Sequence, residues 1–239
     1  MICTCDDVKK LGTILGVWAH PDDESFCAAG LLAAAAANGQ RVICLTLTKG
    51  EAGVQDEKRW PADKLADIRA RELDAGLELL GINDHHCLGY ADGGCSKVPD
   101  EEGSRAVRAF IDTHLPDTIL TFGPDGLTGH SDHQTVSRWV DQAVRGADVR
   151  VFHFVQEKDL YEKYMKQLNN KFNFYFNIDQ PPLQAAADCA IAFKLTDKLC
   201  QQKCAALKAM PSQTEALFKN TPPGFMEKAL GCECFVEAK

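Results

Sequence analysis

In the first eighty residues, strand-length apolar runs alternate with runs of helical period, and that alternation leaves few folds open. Residues 13–19 and 41–48 are nearly unbroken apolar stretches, the pattern of strands buried on both faces. Residues 26–37 are alanine-rich and closed by Asn38-Gly39. Residues 61–80 carry Leu65, Ile68, Leu73, Leu77 and Leu80 at mostly helical spacing and end at Gly81. Strand, helix, strand, helix in that order is the signature of a mainly parallel sheet covered by helices. Residues 116–122 and 149–155 predict two more strands, and residues 104–114 another helix. Ser131 with Gln134 resembles a capping box ahead of an apolar face made by Val136, Trp139, Val140 and Val144.

Elsewhere the pattern is weaker. Residues 83–103 are polar and glycine-containing and read as an extended loop. Past Glu157 the period degrades: residues 161–176 are aromatic and basic, Pro181-Pro182 is a break, residues 185–210 read as one or two helices, and the tail is irregular up to a short segment at 233–236. With 239 residues, 45% of them hydrophobic, one core is expected. The expected organisation is a single catalytic domain over 1–239, with a core at 12–156 and an elaborated cap or subdomain at 157–239.

Chemistry concentrates where two of the strands end. His20-Pro21-Asp22-Asp23-Glu24 follows the first strand, and Gly129-His130-Ser131-Asp132-His133 follows the strand at 116–122. In an open parallel sheet such bends converge on one edge, where ligands bind. His20, Asp23 and His133 form a two-histidine, one-carboxylate set that leaves room for water and substrate, the layout of a catalytic metal site. Singly, each has a bland explanation: a hydrogen-bonded strand-end histidine, a helix N-terminal carboxylate, a buried helix histidine. Together, three polar groups aimed at one edge need a reason to be desolvated, and a metal supplies it. Asp22 is then the free carboxylate beside the metal and the candidate general base. His130 is the candidate acid or oxyanion stabiliser, oriented by Asp132.

Other readings fail on charge or spacing. Thirty-four acidic against 26 basic residues, a formal charge of -8, argue against nucleic acid or an anionic membrane as partner. No stretch reaches the roughly 18 apolar residues of a membrane span, and the N-terminus lacks the pattern of a secretory signal. Eleven scattered cysteines read as free thiols in a cytoplasmic protein; Cys3 with Cys5 and Cys232 with Cys234 are spaced too tightly for the usual structural zinc. His85 and His86, adjacent in an extended segment, point to opposite faces. A dinucleotide site is opposed by carboxylates where a pyrophosphate would sit and by the lack of a glycine fingerprint.

The paired motifs resemble the LmbE-like, or PIG-L, family of zinc-dependent N-deacetylases. Residues 19–24 look like its first signature and residues 129–133 its second, with Ser131 where proline is common. Residues 48–53, 69–73 with 80–82, and 89–93 are similar to secondary family patterns. The resemblance implies a Rossmann-like three-layer α/β/α fold without nucleotide binding and one zinc per chain on His20, Asp23 and His133. It also implies Asp22 as base, His130 as acid or oxyanion stabiliser, and Arg69 and Asp92 in the substrate pocket. The implied reaction removes the acetyl group from a soluble, small-molecule N-acetylglucosamine conjugate, and the oligomeric state is left open. A zinc amidase for another amide, or a non-catalytic metal-binding regulator on the same fold, are the alternatives. Residues 206–213 are similar to a late family stretch in which Met210 stands where histidine is usual.

Overall fold

The computed structural model describes residues 2–238. Among the described residues there are eight strands: β1 (Ile14–Trp18), β2 (Val42–Thr48), β3 (Asp84–Tyr90), β4 (Thr118–Phe122), β5 (Arg150–Glu157), β6 (Leu183–Gln184), β7 (Ile191–Lys194) and β8 (Cys232–Glu237). The sheet runs β3-β2-β1-β4-β5-β8-β7, with β6 pairing to β5 off the main path. From β3 through β5 every pairing is parallel; β8 is antiparallel to both β5 and β7. Every residue of β1, β2 and β4 is buried, as the continuous apolar runs require.

β1 lies between β2 and β4, so the chain leaves it first to one side and later to the other. That reversal opens a crevice beyond the carboxyl ends of β1 and β4. The helices flank the sheet in two groups. Ala29–Ala37, Ala62–Leu80 and Asp197–Lys208 pack together, and Asp100–His114 packs on Ser131–Ala143. In the second group a Cβ on Gly103 would overlap the indole of Trp139, so glycine is what lets the two helices close. The Trp139 Nε1–H donates to Asp100 Oδ1 at 2.9 Å.

Several sequence expectations are corrected here. Residues 84–90, read as loop, form the edge strand β3; none of its residues is fully buried, so it lacks the apolar run that marks its neighbours. The helix expected over residues 26–37 is two, Asp23–Cys27 and Ala29–Ala37, broken at Ala28 where φ is -139°. The capping residue of Ser131–Ala143 is His130, whose Nδ1 accepts from the Asp132 amide; the Ser131–Gln134 box does not form. Residues 185–210 contribute β7 as well as the helix Asp197–Lys208, and the tail adds the helix Phe225–Ala229 and β8. The described residues of this part, 157–238, therefore also contribute strands to the sheet.

The C-terminal strands are also bolted to the first half. Glu233, wholly buried, accepts from the Gly30 and Leu31 amides at 2.8 and 2.7 Å and pairs with Lys203 Nζ at 2.7 Å. Lys203 in turn donates to the Phe26 carbonyl at 2.8 Å. All eleven cysteines are free thiols. Among the described residues no helix is long and apolar enough to cross a membrane.

Candidate active site

The bend after β1 holds its residues by backbone means. The Thr48 amide and hydroxyl both donate to the Ala19 carbonyl, tying the end of β1 to β2. Asp22 then adopts φ 108°, a left-handed conformation costly for a residue with a Cβ. That turn lets Asp23 Oδ2 accept from the His20 amide at 2.7 Å and starts the helix Asp23–Cys27.

The bend after β4 uses glycine for the same purpose. Gly126 and Gly129 have φ of 71° and 73°, and a Cβ on either would press on His133 and Gln134 or on Asn177 and Ile178. Between them Leu127 also takes a positive φ of 60°. His133 emerges on the first turn of Ser131–Ala143, its ring stacked on Phe122 with centroids 4.0 Å apart.

The two bends bring three donor atoms together. His20 Nδ1 lies 3.1 Å from His133 Nε2, and Asp23 carboxylate oxygens lie 3.6 and 3.4 Å from those nitrogens. The outer nitrogens are engaged elsewhere. His133 Nδ1 faces the Gly126 carbonyl at 3.0 Å, an acceptor, so that nitrogen carries the proton and Nε2 presents a lone pair. His20 Nε2 faces Asp92 Oδ1 at 3.0 Å and Asp132 Oδ2 at 3.4 Å, so it too is a donor. Two imidazole nitrogens and a carboxylate then face one point that needs positive charge. Without a metal, a proton on His20 Nδ1 meets that need: despite the opposing cost of burial, Asp132, Asp23 and Asp92 raise its pKa well above the ordinary value. Burial pushes His133 down to about 4, keeping it neutral. Although burial opposes ionisation of Asp23, His133 and His20 hold its carboxyl well below the usual range. The donor set fits a divalent cation, whose binding would displace the His20 proton.

Asp22 sits beside this set but is held apart from it. Arg69, only 4% exposed, donates to the Pro21 carbonyl at 2.5 Å, the Gly50 carbonyl at 2.7 Å and Asp22 Oδ2 at 3.3 Å. Burial raises the Asp22 carboxyl to about 7, with Arg69 pulling the other way. A carboxylate poised near neutrality is suited to proton transfer. The Arg69 Nε–H has no partner although buried, and the side chain borders the cleft.

His130 is half-buried, its ring edge-on to His20 at 4.7 Å. Because its Nδ1 accepts from a backbone amide, its neutral form carries the proton on Nε2. Burial and the neighbouring His20 charge lower its pKa and favour that form. His130 also lies close enough to His20 and His133 for the three imidazoles to form a group able to hold a metal.

Of the eight residues singled out in the sequence, seven line one cleft of about 440 Å³: His20, Asp22, Asp23, Arg69, Asp92, His130 and His133. The eighth, Asp132, lies wholly buried beneath it. Its carboxylate accepts from the Gly93 and Cys95 amides at 2.7 and 3.1 Å and faces His20, not His130. Asp92 is likewise occupied, one oxygen on His20 and the other accepting from the Ala52 amide at 2.9 Å. Met210 is buried against Gly76 and does not border the cleft. Sequence reasoning missed Phe26, Thr128, Phe174, Phe176 and Gln213 as cleft residues. Gln213 had a signal, since it closes the family-like stretch 206–213, and its Nε2–H donates to the Gly53 carbonyl. Phe26 reads as ordinary helix core, and nothing in the pattern marks it.

A mainly parallel sheet with a histidine–aspartate cluster able to hold a divalent cation, at the carboxyl ends of two adjacent strands where the strand order reverses, defines an α/β protein with a candidate metal site. Residues 15–144 match the family PIG-L: GlcNAc-PI de-N-acetylase, and the chain belongs to that family of de-N-acetylases. Among curated relatives it is 38% identical over 150 residues to 1D-myo-inositol 2-acetamido-2-deoxy-alpha-D-glucopyranoside deacetylase 2 of Catenulispora acidiphila. That match covers 54% of this chain and 49% of the relative, so it spans about half the relative's length. A deacetylase for the same compound from Actinosynnema mirum is 29% identical over 225 residues, covering 84% of this chain and 79% of the relative. Among solved structures, N,N'-diacetylchitobiose deacetylase from Pyrococcus horikoshii aligns with a TM-score of 0.63 at 21% identity. It covers 96% of this chain and 85% of that one, and establishes the shared fold.

Proposed function

We propose that this chain is a zinc-dependent N-deacetylase that hydrolyses the acetamide of a soluble N-acetylglucosamine derivative in the cytoplasm, releasing acetate and the free amine. The observation that carries the reading is the convergence of His20 Nδ1, His133 Nε2 and the Asp23 carboxylate, with the ionisable Asp22 carboxyl beside them in the same cleft. Two imidazoles and a carboxylate are donor types that zinc favours, and three protein ligands leave a position open. When bound, zinc supplies Lewis acidity to the amide carbonyl and acidifies a water.

The chain's own residues divide the remaining work. Asp22 accepts the proton of the attacking water, and Arg69 fixes that carboxylate against the Pro21 carbonyl. The His130 Nε2–H donates to the carbonyl oxygen as negative charge develops there. The nitrogen leaves as a neutral amine, its proton supplied by Asp22, which returns the one it took from the water. Asp92 and Asp132 act through His20, fixing which of its nitrogens is free. Arg69, whose side chain borders the cleft, is the cationic group placed beside the substrate there. Phe176, 54% exposed and edge-on to His130, offers an apolar face to a sugar ring at the mouth. The named deacetylases among the relatives support an acetylated amino sugar, and eleven free thiols support a reducing compartment.

The test is acetate release by zinc-loaded protein from free N-acetylglucosamine, its inositol and malate conjugates, chitobiose and unrelated N-acyl amides, with Asp22→Ala as control. Asp22-dependent acetate from at least one sugar supports the reading. Turnover of another amide with none from any sugar rejects the substrate and keeps the hydrolase.

A further inference from the structure

Behind the ligand side chains, away from the open cleft, lies a second cavity of about 110 Å³. Asp23, Phe26, Thr128, His133 and Phe174 border both spaces. The partition is thus made of two of the proposed metal ligands together with the Phe26 and Phe174 rings, whose centroids are 6.4 Å apart. Beyond it the walls are apolar, built by Leu127, Phe154, Leu168, Met226 and Ala229.

The polar groups that reach this chamber already have partners. Lys203 Nζ is taken by Glu233 and the Phe26 carbonyl, and the Tyr175 hydroxyl donates to Gln156 Oε1 at 3.2 Å. The buried polar atoms without partners, Trp18 Nε1, Glu51 Oε2, Arg69 Nε, Ser137 Oγ and His153 Nε2, all belong to residues outside its lining. A water here would find few hydrogen bonds, whereas an alkyl group would gain the full benefit of leaving solvent.

We propose that this chamber receives the alkyl part of an N-acyl group longer than acetyl, so that the protein accepts amides of short straight-chain acids, from about butanoyl to hexanoyl. The inference rests on the amide-hydrolase reading above and deepens its substrate class. The two substituents of an amide carbonyl diverge. With the carbonyl carbon at the ligand set, a polar amine portion needs the wide cleft of about 440 Å³, and the acyl portion is directed at the apolar wall. In size, a cavity of about 110 Å³ is somewhat smaller than the roughly 150 Å³ that holds a benzene ring, which suits a chain of about three to five carbons. Phe26 and Phe174 stand between the two spaces, so their rings must part to admit the chain, and Ala229 and Met226 set the depth.

Calorimetric titration of zinc-loaded protein with straight-chain carboxylates from acetate to octanoate tests the chamber without requiring turnover. Affinity is expected to rise about fourfold per added methylene up to about hexanoate and then level off. Ala229→Phe, which fills the chamber, should abolish the rise. Met226→Ala, which enlarges it, should move the cutoff to longer chains and serves if the first variant fails to fold. Equal affinity for acetate and hexanoate in the wild type, or a cutoff unmoved by a folded variant, overturns the proposal. The same series as N-acyl glucosamines gives the second readout: the hexanoyl-to-acetyl ratio of kcat/KM should fall at least tenfold in Ala229→Phe. A carboxylate gradient without cleavage of any amide sustains the chamber and defeats the hydrolase reading. Acetamide cleavage with a flat carboxylate series does the reverse.

Discussion

The two bends that meet at the site are built differently. The bend after β1 carries the carboxylates Asp22 and Asp23 and is held from outside itself: Arg69 braces it from the helix Ala62–Leu80, Asp92 and Asp132 hold the His20 ring, and Lys203 and Glu233 secure the helix that follows. The bend after β4 carries the imidazoles of His130 and His133 and is held largely by shape and backbone, through Gly126, Gly129, the Phe122 ring and its own backbone carbonyl. Two adjacent carboxylates need a cation from another element, which Arg69 supplies, whereas the second bend's one buried carboxylate, Asp132, is met by His20 and by the amides of Gly93 and Cys95. Distant substitutions should therefore disturb the first bend more than the second.

The largest effect is expected at Asp22. Asp22→Asn removes the base and should lower kcat by about 10²–10⁴, the usual worth of a positioned general base, in steady-state acetate release. On the other bend, His130→Ala removes one hydrogen-bond donor to the developing oxyanion and should cost about 10²–10³ in kcat with little change in metal content. Asp132→Asn lies behind His20 and touches no substrate; a loss of about 10- to 100-fold in metal affinity or activity is expected, read by competition with a chelator. An unchanged affinity would show that Asp92 alone fixes His20. Glu233→Gln leaves Lys203 as an uncompensated buried charge. It should destabilise the fold by about 3–5 kcal/mol in urea unfolding, and its effect on kcat should be the smallest of the four.

How far the sequence revealed this molecule follows from where each residue's constraint is local. β1, β2 and β4 are buried on both faces, so their apolar runs announce them, and the strand-to-helix order implies the parallel sheet. The cleft residues His20, Asp22, Asp23, His130 and His133 were legible because polar groups are conspicuous at the end of such strands. β3 was not legible, because an exposed edge carries no apolar run. β7 was not, and β8 showed only as the short segment at 233–236, because what makes them strands is their pairing with each other and, for β8, with β5, a long-range fact. Asp132 shows the same limit at the scale of one side chain. Sequence proximity suggested His130 as its partner, but the helix turns its carboxylate down onto His20 and the amides of Gly93 and Cys95. The Phe26–Phe174 partition joins two segments about which neither run of sequence says anything alone.

The account's central claim is that the first bend divides its adjacent carboxylates between two jobs, Asp23 binding metal and Asp22 moving protons. The direct test is zinc content per chain, measured beside acetate release, for the wild-type protein, Asp22→Ala, Asp23→Ala and His133→Ala. The account predicts about one zinc in the wild type, near-full occupancy with turnover largely abolished in Asp22→Ala, and loss of both in Asp23→Ala and His133→Ala. Equal loss of zinc in all three variants would contradict it.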